Sequence, residues 1–175
     1  MSFSLEVLEF EKLLKLVARN AQTPMGATRV AELRPKSNRN GLEADLAAIT
    51  ETILLNGEKQ VSWSFSGLED PTQTIAILNI ENAALEPSSL LEIAAVCNQA
   101  IYARSLIQPE KEGSPTVWSK VENIPPTLLG PIERINKKLL PSGEIDDSAS
   151  PELAKIRREI NAQRARLTKS LESIM

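Results

Sequence analysis

The 175-residue chain contains no histidine and a single cysteine, Cys97. Without histidine there is no Ser-His-Asp triad, no Cys-His pair, no imidazole acid-base chemistry and no His-containing zinc site. One cysteine excludes both an intramolecular disulfide and a four-cysteine metal site. Aromatic residues make up only 3% of the chain. Its apolar contacts must therefore come from Leu, Ile, Val and Ala, which suits packed helices better than aromatic-rich strands. The seven glycines are scattered, and neither G-x-x-x-x-G-K-[ST] nor G-x-G-x-x-G occurs, so no phosphate-binding loop is present; H-E-x-x-H is also missing. No unbroken apolar run approaches the ~18 residues that span a bilayer. The opening, MSFSLEVLEFEKLL, is acidic where a signal peptide would be basic. A cytoplasmic protein with no membrane segment is the simplest reading.

What remains is ordinary for a globular chain: 42% hydrophobic and 25% charged residues, with a net charge of −3. The length fits one domain with a real core. The charge is unevenly placed. Residues 151–175 carry Lys155, Arg157, Arg158, Arg164, Arg166 and Lys169 against Glu152, Glu159 and Glu172, so a basic tail follows an acidic body.

Apolar spacing predicts a helix from Ser4 to Gln22, capped by Ser4, and a second one opened by Thr23-Pro24 and ended near Leu33 by Pro35. A third is expected from Asn40 to Asn56, with Leu42, Leu46, Ile49 and Ile53 on one face and Gly57 as the stop. Val61, Trp63 and Phe65 alternate with serines, a strand signal that allows at most one small pairing. These aromatics read either as core plugs or as an exposed contact surface. Asp70-Pro71 opens a helix to about Ile80, and Pro87 to Ile107 forms a largely apolar central one that holds Cys97 as a buried, inert thiol. The five prolines between 108 and 131 predict short turns anchored by Trp118. A short helix follows from Pro131 to Leu140, and Ser150-Pro151 starts the last one. The expected core includes Leu8, Leu16, Ile49, Ile53, Ile93, Cys97 and Ile101. The fold class is all-α, with a helical body over residues 1–150 and a separate helix over 151–175.

That last helix carries Leu153, Ile156, Ile160, Leu167 and Ile174 in alternating three- and four-residue steps, with Gln163 and Ser170 at the interrupting positions. This is a coiled-coil seam on an otherwise charged helix of about 37 Å at 1.5 Å per residue. It meets no stop before Met175, as the first part of a longer, truncated helix would. Arg157, Arg158, Arg164, Arg166 and Lys169 flank the seam. They read as a solvated coiled-coil face supported by pairs such as Lys155–Glu159, or as contacts to nucleic-acid phosphates. The exposed seam is expected to self-associate, as an antiparallel or crossed two-fold pair of these helices, giving a homodimer. Acidic clusters at Glu69-Asp70 and at Glu144, Asp146 and Asp147 could bind Mg²⁺ or move protons. Both stand just upstream of helix starts, where Asp serves as cap or turn former. No catalytic, cofactor-binding or metal residue is assigned.

The stretch Gly143 to Ile160, GEIDDSASPELAKIRREI, resembles a G-E-[VI]-x-D-x-A-S-P-E-L-x-x-I-R-x-x-I signature of the MutS-II family, bacterial MutS paralogues that lack the mismatch-recognition domain. Leu5 to Leu14 (LEVLEFEKLL) is similar to the family's first helix, Pro24-Met25-Gly26 with Leu33-Arg34-Pro35 to its second, and Gly67-Leu68-Glu69-Asp70 to a short turn. The likeness covers essentially the whole chain. The 108–131 stretch and Glu86, standing where a Ser or Thr cap is usual, depart from the pattern. The resemblance implies a MutS-like core or lever domain joined to the start of a clamp helix. It further implies that full-length members are dimeric ATPases using ATP and Mg, with a Walker-type site and a C-terminal Smr nuclease domain. Such proteins bind DNA, suppress homologous recombination and, in some bacteria, act on collided ribosomes and their rRNA. All that catalytic machinery would lie downstream of Met175.

Three function classes follow. The first is a non-catalytic helical module coupling an ATPase to a nucleic-acid clamp. The second is a free-standing helical interaction or dimerisation protein. The third is a carboxylate-Mg²⁺ enzyme, which metal at Asp146 or Asp147 would support.

Overall fold

The computed structural model describes residues 8–59 and 61–172. These form eight α-helices joined by turns, with no strand among the described residues. The fold is all-α. The predicted extended segment 61–65 is extended but pairs with no strand; one isolated antiparallel bridge, Leu139 with Ile145, is found elsewhere.

Helix starts follow local chemistry. Helix α1 (Phe10–Ala18) begins later than expected, because Glu9 sits at φ 50°, a left-handed conformation that a right-handed helix cannot pass through. Ser4, its predicted cap, lies outside the described residues. Thr23 caps α2 (Pro24–Ala31) by accepting the Gly26 N–H at 3.0 Å. A Cβ on Gly26 would stand 3.1 Å from that hydroxyl, so the cap needs glycine or a yielding threonine. Asn38 caps α3 (Arg39–Gly57) by accepting from Asn40 and Gly41. Asp70 accepts from both the N–H and the hydroxyl of Thr72 at the start of α4 (Thr72–Leu78). Pro87 occupies the first turn of α5 (Pro87–Ile107), whose N-cap Glu86 makes no side-chain cap bond.

Helices α6 (Pro115–Val121) and α7 (Leu129–Lys138) pack against α5, and α6 also packs against α3. The small residues Ala94 and Ala103, with Ile107, form the buried face of α5 and allow close helix approach. Arg104 reaches from α5 over the Trp118 ring at 5.4 Å and donates to the Glu122 carbonyl, so Trp118 anchors this region as expected. With the turn that follows it, α5 is long and apolar enough by length and composition to cross a bilayer. Glu92 and Arg104 interrupt it, which is why no unbroken apolar run appears in the sequence.

The core differs from the expected one. Among the described residues, Leu14, Leu55, Ala94, Ala103, Ile107 and Ile132 are the buried apolar ones. Leu8, Leu16, Ile49 and Ile53, placed in the core by their spacing, are 64%, 56%, 56% and 65% exposed. Ile93, Cys97 and Ile101 are half-buried, so Cys97 is not the sealed thiol expected. The physical reason is shared. Helix α3 turns Glu51 and Leu55 inward toward α6 and leaves its apolar seam outside. The whole chain exposes 13626 Å², against about 8,400 Å² for a compact monomer of this mass. The expected self-sufficient core is therefore thin.

Candidate partner and nucleic-acid interface

The last helix, α8 (Pro151–Glu172), is built onto the body by local devices. Ser150 accepts the Leu153 N–H at 3.0 Å, and Pro151 occupies the first turn, where a missing N–H costs nothing. Upstream, the chain reverses through Gly143 at φ +83°, a left-handed turn that favours glycine. Around that turn Leu140 donates to the Glu144 carbonyl and Asp146 to the Lys138 carbonyl, both at 2.8 Å. Asp146 then accepts from the hydroxyl and the N–H of Ser148, and those bonds hold its carboxyl below the usual carboxylate range. The Thr72 hydroxyl and N–H do the same for Asp70. Asp70 and Asp146 thus serve their turns, Asp147 pairs with Arg157, and among the described residues no group of three or more His, Cys, Asp or Glu could hold a metal.

Arg157 has a different part from its neighbours. Its guanidinium donates to the Ile145 carbonyl at 3.0 Å and pairs with Asp147, locking the first turns of α8 to the preceding turn. Of the five sequence-predicted phosphate contacts, it is the one the structure commits to positioning. Arg158, Arg164, Arg166 and Lys169 are exposed. At 100° per residue, Lys155, Arg158, Arg166 and Lys169 lie within one 80° sector, with Ala162 between them, on the side opposite the seam. Arg164 lies apart, beside the seam. Lys155, not among the five expected contacts, joins the stripe through the 155, 158, 162, 166, 169 spacing.

The seam itself is half-buried at Leu153 and exposed beyond it: Ile156 and Ile160 lie open, as does Leu167 at 65%. Ile174 lies outside the described residues.

A second unpartnered surface lies on the body. Leu42, Leu46 and Ile49 of α3, with Phe10, Leu14 and Leu33 opposite, line an open groove of about 920 Å³. A shallower hollow at Ala48, Ile49, Thr52 and Ile53 continues it along α3. An apolar cleft of about 480 Å³ lies beneath Trp63 and Phe65, against Met25, Val30 and Val96. There the extended segment is strapped down: Gln22 accepts the Phe65 N–H and Gln99 donates to the Ser64 carbonyl, each at 2.7 Å.

No family model matches the chain. The chain is 29% identical over 177 residues to a curated protein of Pelotomaculum thermopropionicum named Endonuclease MutS2, a match that spans 98% of this chain and 22% of the relative. The chain is MutS2-like. The Thermus thermophilus protein of the same name is 30% identical over 172 residues, covering 98% of this chain and 21% of its own length. That of Gemmatimonas aurantiaca is 26% identical over 174 residues, with 98% and 21% covered. The MutS2-like chain therefore spans about a fifth of the length of the curated relatives it matches. The resemblance expected from the 143–160 stretch extends along nearly the whole chain, consistent with an N-terminal module of a MutS2-like protein.

Proposed function

We propose that this chain serves as a non-catalytic helical module of a MutS2-like DNA-binding ATPase and endonuclease, coupling the ATPase to a nucleic-acid clamp. Residues 1–150 form the body and residues 151–175 the root of the clamp helix. The carrying observation is the two-sided character of α8: an exposed apolar seam on one face and the Lys155, Arg158, Arg166 and Lys169 stripe on the other. The seam takes a returning helix, and the stripe faces phosphates. The thin core and large exposed surface support a module that other parts of a longer protein cover. ATP, Mg and the nuclease centre belong to residues outside this chain on this reading; the sequence holds no phosphate-loop motif, and among the described residues no group of three or more His, Cys, Asp or Glu could hold a metal. On this reading the longer protein is a cytoplasmic dimer that suppresses recombination and acts on ribosomes and rRNA in some bacteria. The exposed α3 seam favours a second reading, a helical protein-interaction or dimerisation module.

The test is duplex-DNA binding by fluorescence anisotropy across a salt series. Four phosphate contacts give a slope of log K against log salt near −3.6. Replacing Lys155, Arg158, Arg166 and Lys169 with Gln should flatten that slope by about 3.6 and weaken binding at low salt. An unchanged slope would refute the phosphate role of this stripe.

A further inference from the structure

The aromatic-serine stretch from Val61 to Ser66 takes no part in the nucleic-acid reading. Its serines are exposed, while Trp63 and Phe65 are half-buried over the apolar cleft. Backbone bonds tie both ends of the stretch. The Val61 N–H donates to the Leu55 carbonyl near the end of α3, and the Leu68 N–H to the Phe65 carbonyl across a turn at Gly67, φ +80°. The middle is held differently. The Gln99 amide donates to the Ser64 carbonyl, and the Gln22 side chain accepts the Phe65 N–H. Those two backbone groups are the C=O and N–H of one peptide bond. A single peptide plane is thus gripped at both ends, by the α1–α2 turn on one side and by α5 on the other. We infer that residues 61–66 form a two-state strap: closed, it ties the α1–α2 hairpin to α5; released at this one plane, it lets the hairpin swing out as a unit and uncovers Trp63 and Phe65. This goes beyond the nucleic-acid reading and does not depend on it.

The hairpin is built to move as one piece. Helices α1 and α2 pack chiefly on each other. Their turn satisfies its own backbone: Asn20 donates to the Val17 carbonyl, Ala21 to the Ala18 carbonyl, and Thr23 caps α2. Open space lies on both sides, the cleft toward α5 and the larger groove toward α3. The exposed, non-helical link 33–38 joins the hairpin to α3, and Lys36 pairs with Asp45 to anchor its far end. A rotation there moves the hairpin without breaking a helix.

The closed state is held lightly for physical reasons. Both grips are neutral hydrogen bonds at exposed sites, where water competes, and each shifts an equilibrium by only about two- to tenfold. Each also immobilises a long glutamine side chain. Trp63 and Phe65 overlie a cleft of about 480 Å³ without filling it, so they forgo part of their packing. By contrast, α5 and α7 pack together and carry Ala94, Ala103, Ile107 and Ile132, all buried. The strap therefore opens well before the body unfolds. The two sequence readings of these aromatics, core plug and exposed contact surface, are the closed and open states of one device.

Distance measurement between spin labels on the 1–175 chain tests this. In a Cys97→Ser background, Thr28→Cys on α2 and Asn98→Cys on α5 report the hairpin, and Asn98→Cys with Lys137→Cys on α7 reports the body; all three positions are exposed. The hairpin pair should show a closed and an open distance, and the body pair one. Gln99→Met, which keeps the side-chain size and removes the donor, should raise the open-to-closed ratio about fivefold. Gln22→Met should do the same from the other side, because both act on one plane. As a readout free of labels, acrylamide quenching of Trp63 in a Trp118→Phe chain should rise with either substitution. An unchanged hairpin distribution would overturn the inference, as would a response to one glutamine and not the other. So would equal broadening of the body pair, which marks general loosening, or a Trp63 that stays as shielded as in the parent chain.

Discussion

Glu51 offers a stringent test of the packing. Helix α6 begins with Pro115, and its N-cap, Ser114, makes no side-chain cap bond. The orphan N–H groups of Thr116 and Val117 are instead taken by Glu51 of α3, at 3.2 and 2.7 Å, across 65 and 66 residues of sequence. One carboxylate thus caps a helix, opposes its positive end and ties two helices together. Removing a cap costs about 0.5–2 kcal/mol, and a charge at a helix start adds about 0.3–1. Glu51→Ala should cost about 2 kcal/mol, lowering Tm by about 4–8 °C for a chain of this size. Glu51→Gln keeps the shape and loses the charge, so it should fall between. The pH dependence follows from the carboxyl's environment. Partial burial works to raise its pKa, but the Val117 N–H and the Thr116 hydroxyl and N–H outweigh it, so the folded value lies below the ordinary 4.5. A depressed carboxylate contributes its stability above the unfolded pKa and loses it as pH falls through the folded one. The Tm gap between wild type and Glu51→Gln should therefore be full near neutral pH and shrink below about pH 4.5. Melting curves at several pH values measure it. A gap independent of pH, or no larger than that of Glu43→Gln, would refute the cap.

Burial separates neighbours on α3. Leu55→Ala, at a residue 1% exposed, should cost about 2–5 kcal/mol, whereas Ile53→Ala should cost less than about 0.5 in dilute, monomeric solution; denaturant melts of both variants check this. Arg157→Ala should shift global stability by no more than about 1 kcal/mol, since its ion pair is exposed. It should nevertheless speed amide exchange in the first turns of α8 while leaving α5 unchanged, which hydrogen exchange would read.

Much of the fold was legible because helix starts are local events. Thr23 and Ser150 each make the side-chain bond their sequence context predicts; Asp70 holds Thr72, although Pro71 and not Asp70 stands at the N-cap of α4, and Pro87–Ile107 forms one helix with the expected bounds. The core was not legible for a matching reason. Apolar spacing identifies the stripe that favours burial, not the surface that buries it, and in this chain the α3 stripe and most of the α8 stripe face outward. Meanwhile Ala94 and Ala103, small residues with weak hydrophobic signals, are buried on α5, the helix against which α6 and α7 pack. The Glu51 cap was invisible since nothing near it in sequence hints at α6. Arg157 looked like its neighbours until the turn at Gly143 brought the Ile145 carbonyl and Asp147 under it.

The surplus of exposed surface has a calorimetric consequence. By the same size scaling the unfolded chain exposes about 27,800 Å², so folding this molecule hides about 14,000 Å² where a compact protein of its mass would hide about 19,000. Both the denaturant slope and the heat-capacity increment of unfolding grow with that hidden area. Each should come out near three quarters of the value its length would suggest. With so small an increment, the stability curve is broad and shallow, and the protein's resistance to unfolding varies little between cold and body temperature. Docking against a partner would steepen that curve, making heat capacity a direct gauge of how much of the open surface has found its cover.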